Sequence, residues 1–113
     1  MILNLTPHPI RLYANEREDG SDDLEPHLRE VIEPESVPAR LATFEVSSGM
    51  WPVLVEFGHA QNLPPKRDGV QYVVSLVVAL ALADRRGDLL VPYREVRNAS
   101  GTVIGCRQLA QPV

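Results

Sequence analysis

At 113 residues, 44% of them hydrophobic, the chain is long enough for one domain with a packed core and too apolar to stay disordered. A net charge of −4 argues against a nonspecific nucleic-acid binder, which needs a basic face, and a single cysteine excludes an internal disulfide. The longest apolar run, Leu76 to Ala83, falls far short of the ~18 residues of a membrane span. With no basic, apolar leader at the start, the expected location is the cytoplasm.

Met1 to Leu5 reads as a short strand. The two prolines of Thr6-Pro7-His8-Pro9 fix φ and remove N–H donors, so a turn or extended stretch follows. Ile10 to Tyr13 reads as a second strand. From Glu16 to Glu35 there are nine acidic residues against two basic, so this stretch carries −7 and the remainder +3. With Gly20, Ser21, Pro26 and Pro34 it predicts an acidic loop at about 15–35, with room for a short strand at His27 to Ile32.

Val37 to Val46 and Trp51 to Phe57, separated by Ser47-Ser48-Gly49, predict a hairpin, with Trp51 and Phe57 in the core or at its rim. Gly58 to Gly69 reads as a loop and Val70 to Val74 as a buried strand. Ser75 is a helix N-cap, and Leu76 to Arg86 ends on the stop signals Arg85, Arg86 and Gly87. This helix is apolar nearly all round, which predicts burial on more than one side. Leu89 to Val91 is a strand ended by Pro92, completing a strand–helix–strand unit. A last hairpin turns on Asn98-Ala99-Ser100-Gly101. The expected fold is a single α+β domain over 1–113: a small mixed or mainly antiparallel sheet packed against one buried helix at about 75–86.

Five groups of residues bear on chemistry. In extended chain, Thr6 and His8 face the same way and would present a hydroxyl and an imidazole together; the same residues also read as a turn capping its own backbone. Ser75 reads first as a plain helix cap, though a helix N-terminus can also meet an anion, and no glycine-rich loop precedes it. Among Arg11, Arg40, Arg94, Arg97 and Arg107, two or three converging would clamp a phosphate or carboxylate; scattered, they are surface charge. His8, His27 and His59 lack ligand spacing, so no metal or other cofactor is expected. Cys106 lies in an apolar strand and reads as a buried structural thiol, and no catalytic motif is present. The residues selected as a ligand site are Thr6, His8, Arg40, Ser75, Arg97 and Arg107.

The opening block Asn4-Leu5-Thr6-Pro7-His8-Pro9, with Tyr72-Val73-Val74-Ser75, Asp88-Leu89-Leu90-Val91-Pro92 and Ile104-Gly105-Cys106-Arg107, resembles a family of small proteins of bacteriophages, prophages and actinobacterial genomes. The resemblance spans most of the chain outside the acidic stretch. That family carries no assigned activity, so no catalytic residue transfers. The phage association implies an accessory protein acting against host defence. The expected function is non-enzymatic binding of a small anionic, nucleotide-like ligand, such as a host immune messenger. Two alternatives stand beside it: an inhibitor that contacts a host protein through the acidic segment, and a small nucleotide hydrolase or lyase using His8. A homo-oligomer is compatible with all three; nucleic acid and membrane are not expected partners.

Overall fold

The computed structural model describes residues 1–15, 27–46, 49 and 51–113. Among the described residues, eight strands and one short helix follow in chain order: β1 (Ile2–Asn4), β2 (Ile10–Tyr13), β3 (Leu28–Ile32), β4 (Arg40–Glu45), β5 (Val55–Gln61), β6 (Gln71–Val73), α1 (Leu76–Leu82), β7 (Leu89–Arg97) and β8 (Val103–Ala110). Six strands form one sheet in the order β1-β6-β7-β8-β2-β3, and β4 and β5 form a separate antiparallel pair. An isolated parallel bridge between Asn4 and Pro34 brings the chain just beyond β3 back to β1, so the six-stranded sheet is a nearly closed barrel.

This architecture overturns the expected α+β sandwich of a sheet on a buried helix. Of the described residues, 46% are strand and 8% helical, and the helix is a minor covering element. Helix α1 ends at Leu82, not Arg86. It buries Val78 and Ala79, while Leu76, Val77 and Leu80 stand 58%, 45% and 60% exposed. The Arg86 guanidinium has a different task from capping the helix. It forks onto Asp88, with Nε donating to Oδ1 and Nη2 to Oδ2 at 2.8 Å each, and Nη2 donates also to the Pro64 carbonyl at 3.0 Å. That hydrogen-bonded pairing holds the buried Asp88 carboxyl below the usual carboxylate range and ties the loop before β6 to the start of β7.

Period-two alternation explains the two cores. Val73 and Leu90 point into the barrel, where they pack with Ile10 and Cys106 and against Leu12, Ile32 and Leu109. Their neighbours Tyr72, Val74, Leu89 and Val91 point outward, into a second cluster covered by Val78 and Ala79 of α1 and by Ala39 and Leu41 at the foot of β4. Side chains fill the interior of so small a barrel. The strand–helix–strand unit forms as expected, with β6 and β7 parallel neighbours. Strand β7 does not end at Pro92 but runs on to Arg97. Its pairing with β6 stops at Leu90, so the missing N–H of Pro92 falls on an edge with no ladder to break. The final hairpin closes as its turn residues predict: Asn98 Oδ1 accepts from the Ser100 and Thr102 amides at 2.9 and 3.1 Å, and Gly101 takes φ +81°.

Two further expectations meet the structure differently. The acidic loop at about 15–35 lies largely outside the described residues, but its end forms β3, paired antiparallel with β2. The β4–β5 hairpin exists, with β5 beginning at Val55 and running to Gln61. Its two large aromatics past the foot are not core: Trp51 is 91% and Phe57 58% exposed.

Candidate functional site

The turn between β1 and β2 is organised by Asn4, which is 1% exposed. Its neighbours Leu3 and Leu5 belong to the outer cluster, so the Asn4 side chain lies on the barrel side. Its amide donates to the His8 carbonyl at 2.8 Å and to the Ile32 carbonyl at 2.9 Å. Its Oδ1 accepts from the Thr6 amide at 2.9 Å and faces the Thr6 hydroxyl at 2.6 Å. The Glu35 amide donates to the Asn4 carbonyl at 2.8 Å. One buried amide side chain thus joins the end of β1, the Pro-rich turn and the end of β3, and closes the barrel seam. Thr6 Oγ1 also lies 3.0 Å from the His8 carbonyl, so its hydroxyl is spent inside the turn. His8 itself is exposed at the tip.

Hollows flank this turn on two sides. One, of about 390 Å³, is lined by Thr6, His8, Pro9 and Ile10 from the turn, by Val74, Ser75 and Leu76 where β6 enters α1, and by Val91, Pro92 and Glu95 of β7. The second, of about 310 Å³, shares His8, Pro9, Ile10 and Pro92 and adds Arg11 and the stretch Val103 to Cys106. The walls are chiefly proline and aliphatic, with His8 at the junction and Ser75, Glu95 and Arg11 as polar groups. Ser75 has extended backbone, and its hydroxyl makes no capping hydrogen bond. The Arg11 Nε donates to the Tyr13 hydroxyl at 3.0 Å.

Of the six selected residues, the structure therefore brings Thr6, His8 and Ser75 together around one cavity. Arg97 and Arg107 meet at Glu95 instead. Arg97 Nη2 donates to the Glu95 carboxylate at 2.9 Å and Nη1 to the Gly101 carbonyl at 2.7 Å, while Arg107 Nη1 donates to the Glu95 carbonyl at 2.8 Å. Arg107 also lines a smaller hollow of about 260 Å³ with Leu12, Arg29 and Glu30. Arg40 stands at the foot of the β4–β5 hairpin, its Nε donating to Gln61 Oε1 at 3.1 Å. Neither Arg40 nor Arg97 lines any of the three hollows.

Pro92 and Glu95 line the cavity and were not selected by sequence reading. Pro92 was expected to end one strand and Glu95 to begin the last hairpin, and no local signal joins the two into the single strand β7. Arg11 belonged to the set of five arginines but was not selected among the six. Cys106 is 1% exposed inside the barrel, and burial pushes its thiol pKa up, away from the reactive thiolate. Among the described residues, no three His, Cys, Asp or Glu side chains are grouped to hold a metal ion, and no helix is long and apolar enough to cross a membrane. In comparisons with known proteins, no family model, no curated protein and no solved structure matches the chain.

Proposed function

We propose that the protein is a non-enzymatic binder of a small anionic, nucleotide-like ligand, held at the turn between β1 and β2. The observation that carries this reading is convergence: Thr6 and His8, Ser75, and the Pro92–Glu95 stretch are remote in sequence yet line one cavity of about 390 Å³. That volume falls in the ~300–1,000 Å³ range of small-molecule sites. Through His8 it adjoins the hollow that contains Arg11, so an imidazole, a guanidinium and the Ser75 hydroxyl face a groove walled by Pro9, Pro92 and Leu76. The apolar walls suit the flat face of a base, and His8 and Arg11 suit an anionic group. The Glu95 carboxylate on the same wall is neutralised by Arg97, which lessens its repulsion of an anion. Resemblance to phage proteins supports the finer role, sequestering a nucleotide-derived messenger of host defence.

Native mass spectrometry of the purified protein with a panel of cyclic and linear nucleotides tests this. The expected result is a discrete mass shift at ligand concentrations near ~10 μM, with the ligand recovered unchanged on denaturation. Exchange of His8 for alanine removes one charge-assisted contact and weakens binding roughly tenfold. A chemically altered ligand would move the reading to the nucleotide hydrolase or lyase. No shift with any nucleotide would overturn it.

A further inference from the structure

The β4–β5 hairpin is an arm with no place in either core beyond its foot. Five successive residues of β5, Val55 to His59, are exposed, so both faces of the ribbon are open. The cross-strand register puts Val55 and Phe57 on one face, opposite Glu45 and Thr43. It puts Phe44 on the other face, with its ring against Gly58. Phe44 is 54% and Phe57 58% exposed, and Trp51, the only tryptophan of the chain, is 91% exposed near the tip. At the foot of the arm, β4 touches α1, whose Leu76, Val77 and Leu80 are likewise exposed. An isolated two-stranded ribbon is marginal in water, and this one carries exposed apolar side chains on both faces, where a solvated sheet keeps one face polar.

We propose that a second copy of this chain, related by a twofold axis, covers the arm and the outer face of α1. Ten apolar side chains of the arm and helix stand 45% or more exposed. With about half of each side chain open, they present on the order of 1,000 Å², close to the ~800 Å² per partner of a stable interface. The surface is also able to face itself. Between Arg40 and Gln61 the charged residues are Arg40, Glu45 and Glu56, so an isologous contact meets little like-charge repulsion. Both strands of the arm have an open edge, and a strand that meets its own symmetry mate across a twofold axis runs antiparallel to it, the arrangement an added ladder needs. Arm and helix face belong to one molecule, so each copy both gives and receives the contact. This dimer surface is separate from the ligand cavity and does not depend on the ligand reading, although Leu76 borders both.

The position of Trp51 makes the test direct. Sedimentation of the full chain at ~50 μM, where an interface of this size is occupied, gives twice the 12.5 kDa chain mass. Dilution to ~50 nM shifts Trp51 emission to the red and raises its quenching by acrylamide several-fold. Phe57→Lys on the arm and Leu80→Lys on the helix each return the monomer mass with unchanged far-ultraviolet circular dichroism, since both positions are exposed in the single chain. A monomer at the high concentration would overturn the proposal. So would a dimer whose Trp51 remains fully quenchable, or a dimer that survives both substitutions. The fluorescence readout needs no variant, so the test holds even if a substitution impairs folding.

Discussion

The barrel and the β4–β5 arm use the same device in opposite settings. In each, an aromatic ring from one strand lies over a glycine of the next: Tyr13 over Gly105 in the barrel, Phe44 over Gly58 in the arm. Tyr13 is wholly buried, whereas more than half of Phe44 faces solvent. The barrel ring lies against Gly105 of β8 and is held by the Arg11 hydrogen bond; the arm ring lies against Gly58 and is 54% exposed. A stacked ring and glycine therefore define a local geometry, but stability comes from what closes over them. The fold is anchored by the barrel, and the arm is a surface the barrel carries.

The same substitution at the two glycines separates these roles, and the larger effect belongs to Gly105. A Cβ there would stand 2.5 Å from the Arg11 carbonyl oxygen and 2.6 Å from the Tyr13 ring. The first obstacle is backbone and cannot swing aside, so β2 and β8 must part. Gly105→Ala is expected to cost about 3 kcal/mol and to lower the melting temperature by roughly 10 °C or more. Thermal unfolding followed by circular dichroism checks it, and a loss below ~0.5 kcal/mol would mean that β2 and β8 do not lie this close.

Next in size is Asn4→Ala. It strips the His8 and Ile32 carbonyls and the Thr6 amide of their partner. A cost of about 2 kcal/mol follows. The damage is expected at the seam between β1 and the end of β3, so hydrogen exchange of the Glu35 amide, which donates to Asn4, rises before that of the barrel interior. Uniform loss of protection would show that Asn4 does not hold a seam.

Local chemistry made part of this legible. The strand at Ile10–Tyr13, the Asn98–Gly101 turn and the start of the helix after Ser75 rest on alternation, turn residues and capping position, all written within a few neighbours. Barrel closure is not local. Asn4 meets Ile32 across 28 positions, and nothing near Asn4 marks its amide as a clasp. The helix misled for a related reason: an apolar segment implies burial only when enough elements pack around it, and α1 has little beyond β7 and β4 against it. Thr6, His8 and Ser75 were readable because each residue type fits its place in a turn or at a helix start. The nearness of Arg97 and Arg107 follows from the hairpin that turns between them, whereas their meeting at Glu95 depends on the β7–β8 register, which no single strand encodes.

The smallest expected effect is the one that tests the arm. At Gly58 an added Cβ would meet Phe44 Cε2 at 2.8 Å, the far end of an exposed side chain that is free to turn away. The glycine has no left-handed φ that alanine would resist. Alanine also narrows the unfolded ensemble, a gain of about 0.4–1 kcal/mol that offsets the displaced ring. In dilute solution, Gly58→Ala is therefore expected to stay within about 0.5 kcal/mol of the parent by urea unfolding. A loss matching that of Gly105→Ala would place the arm inside the cooperative core and erase the contrast between the two regions. A near-neutral result leaves Phe44 committed to surface rather than to stability. Its displacement should then be felt only where that surface is covered, as a shift of the concentration at which the chains associate.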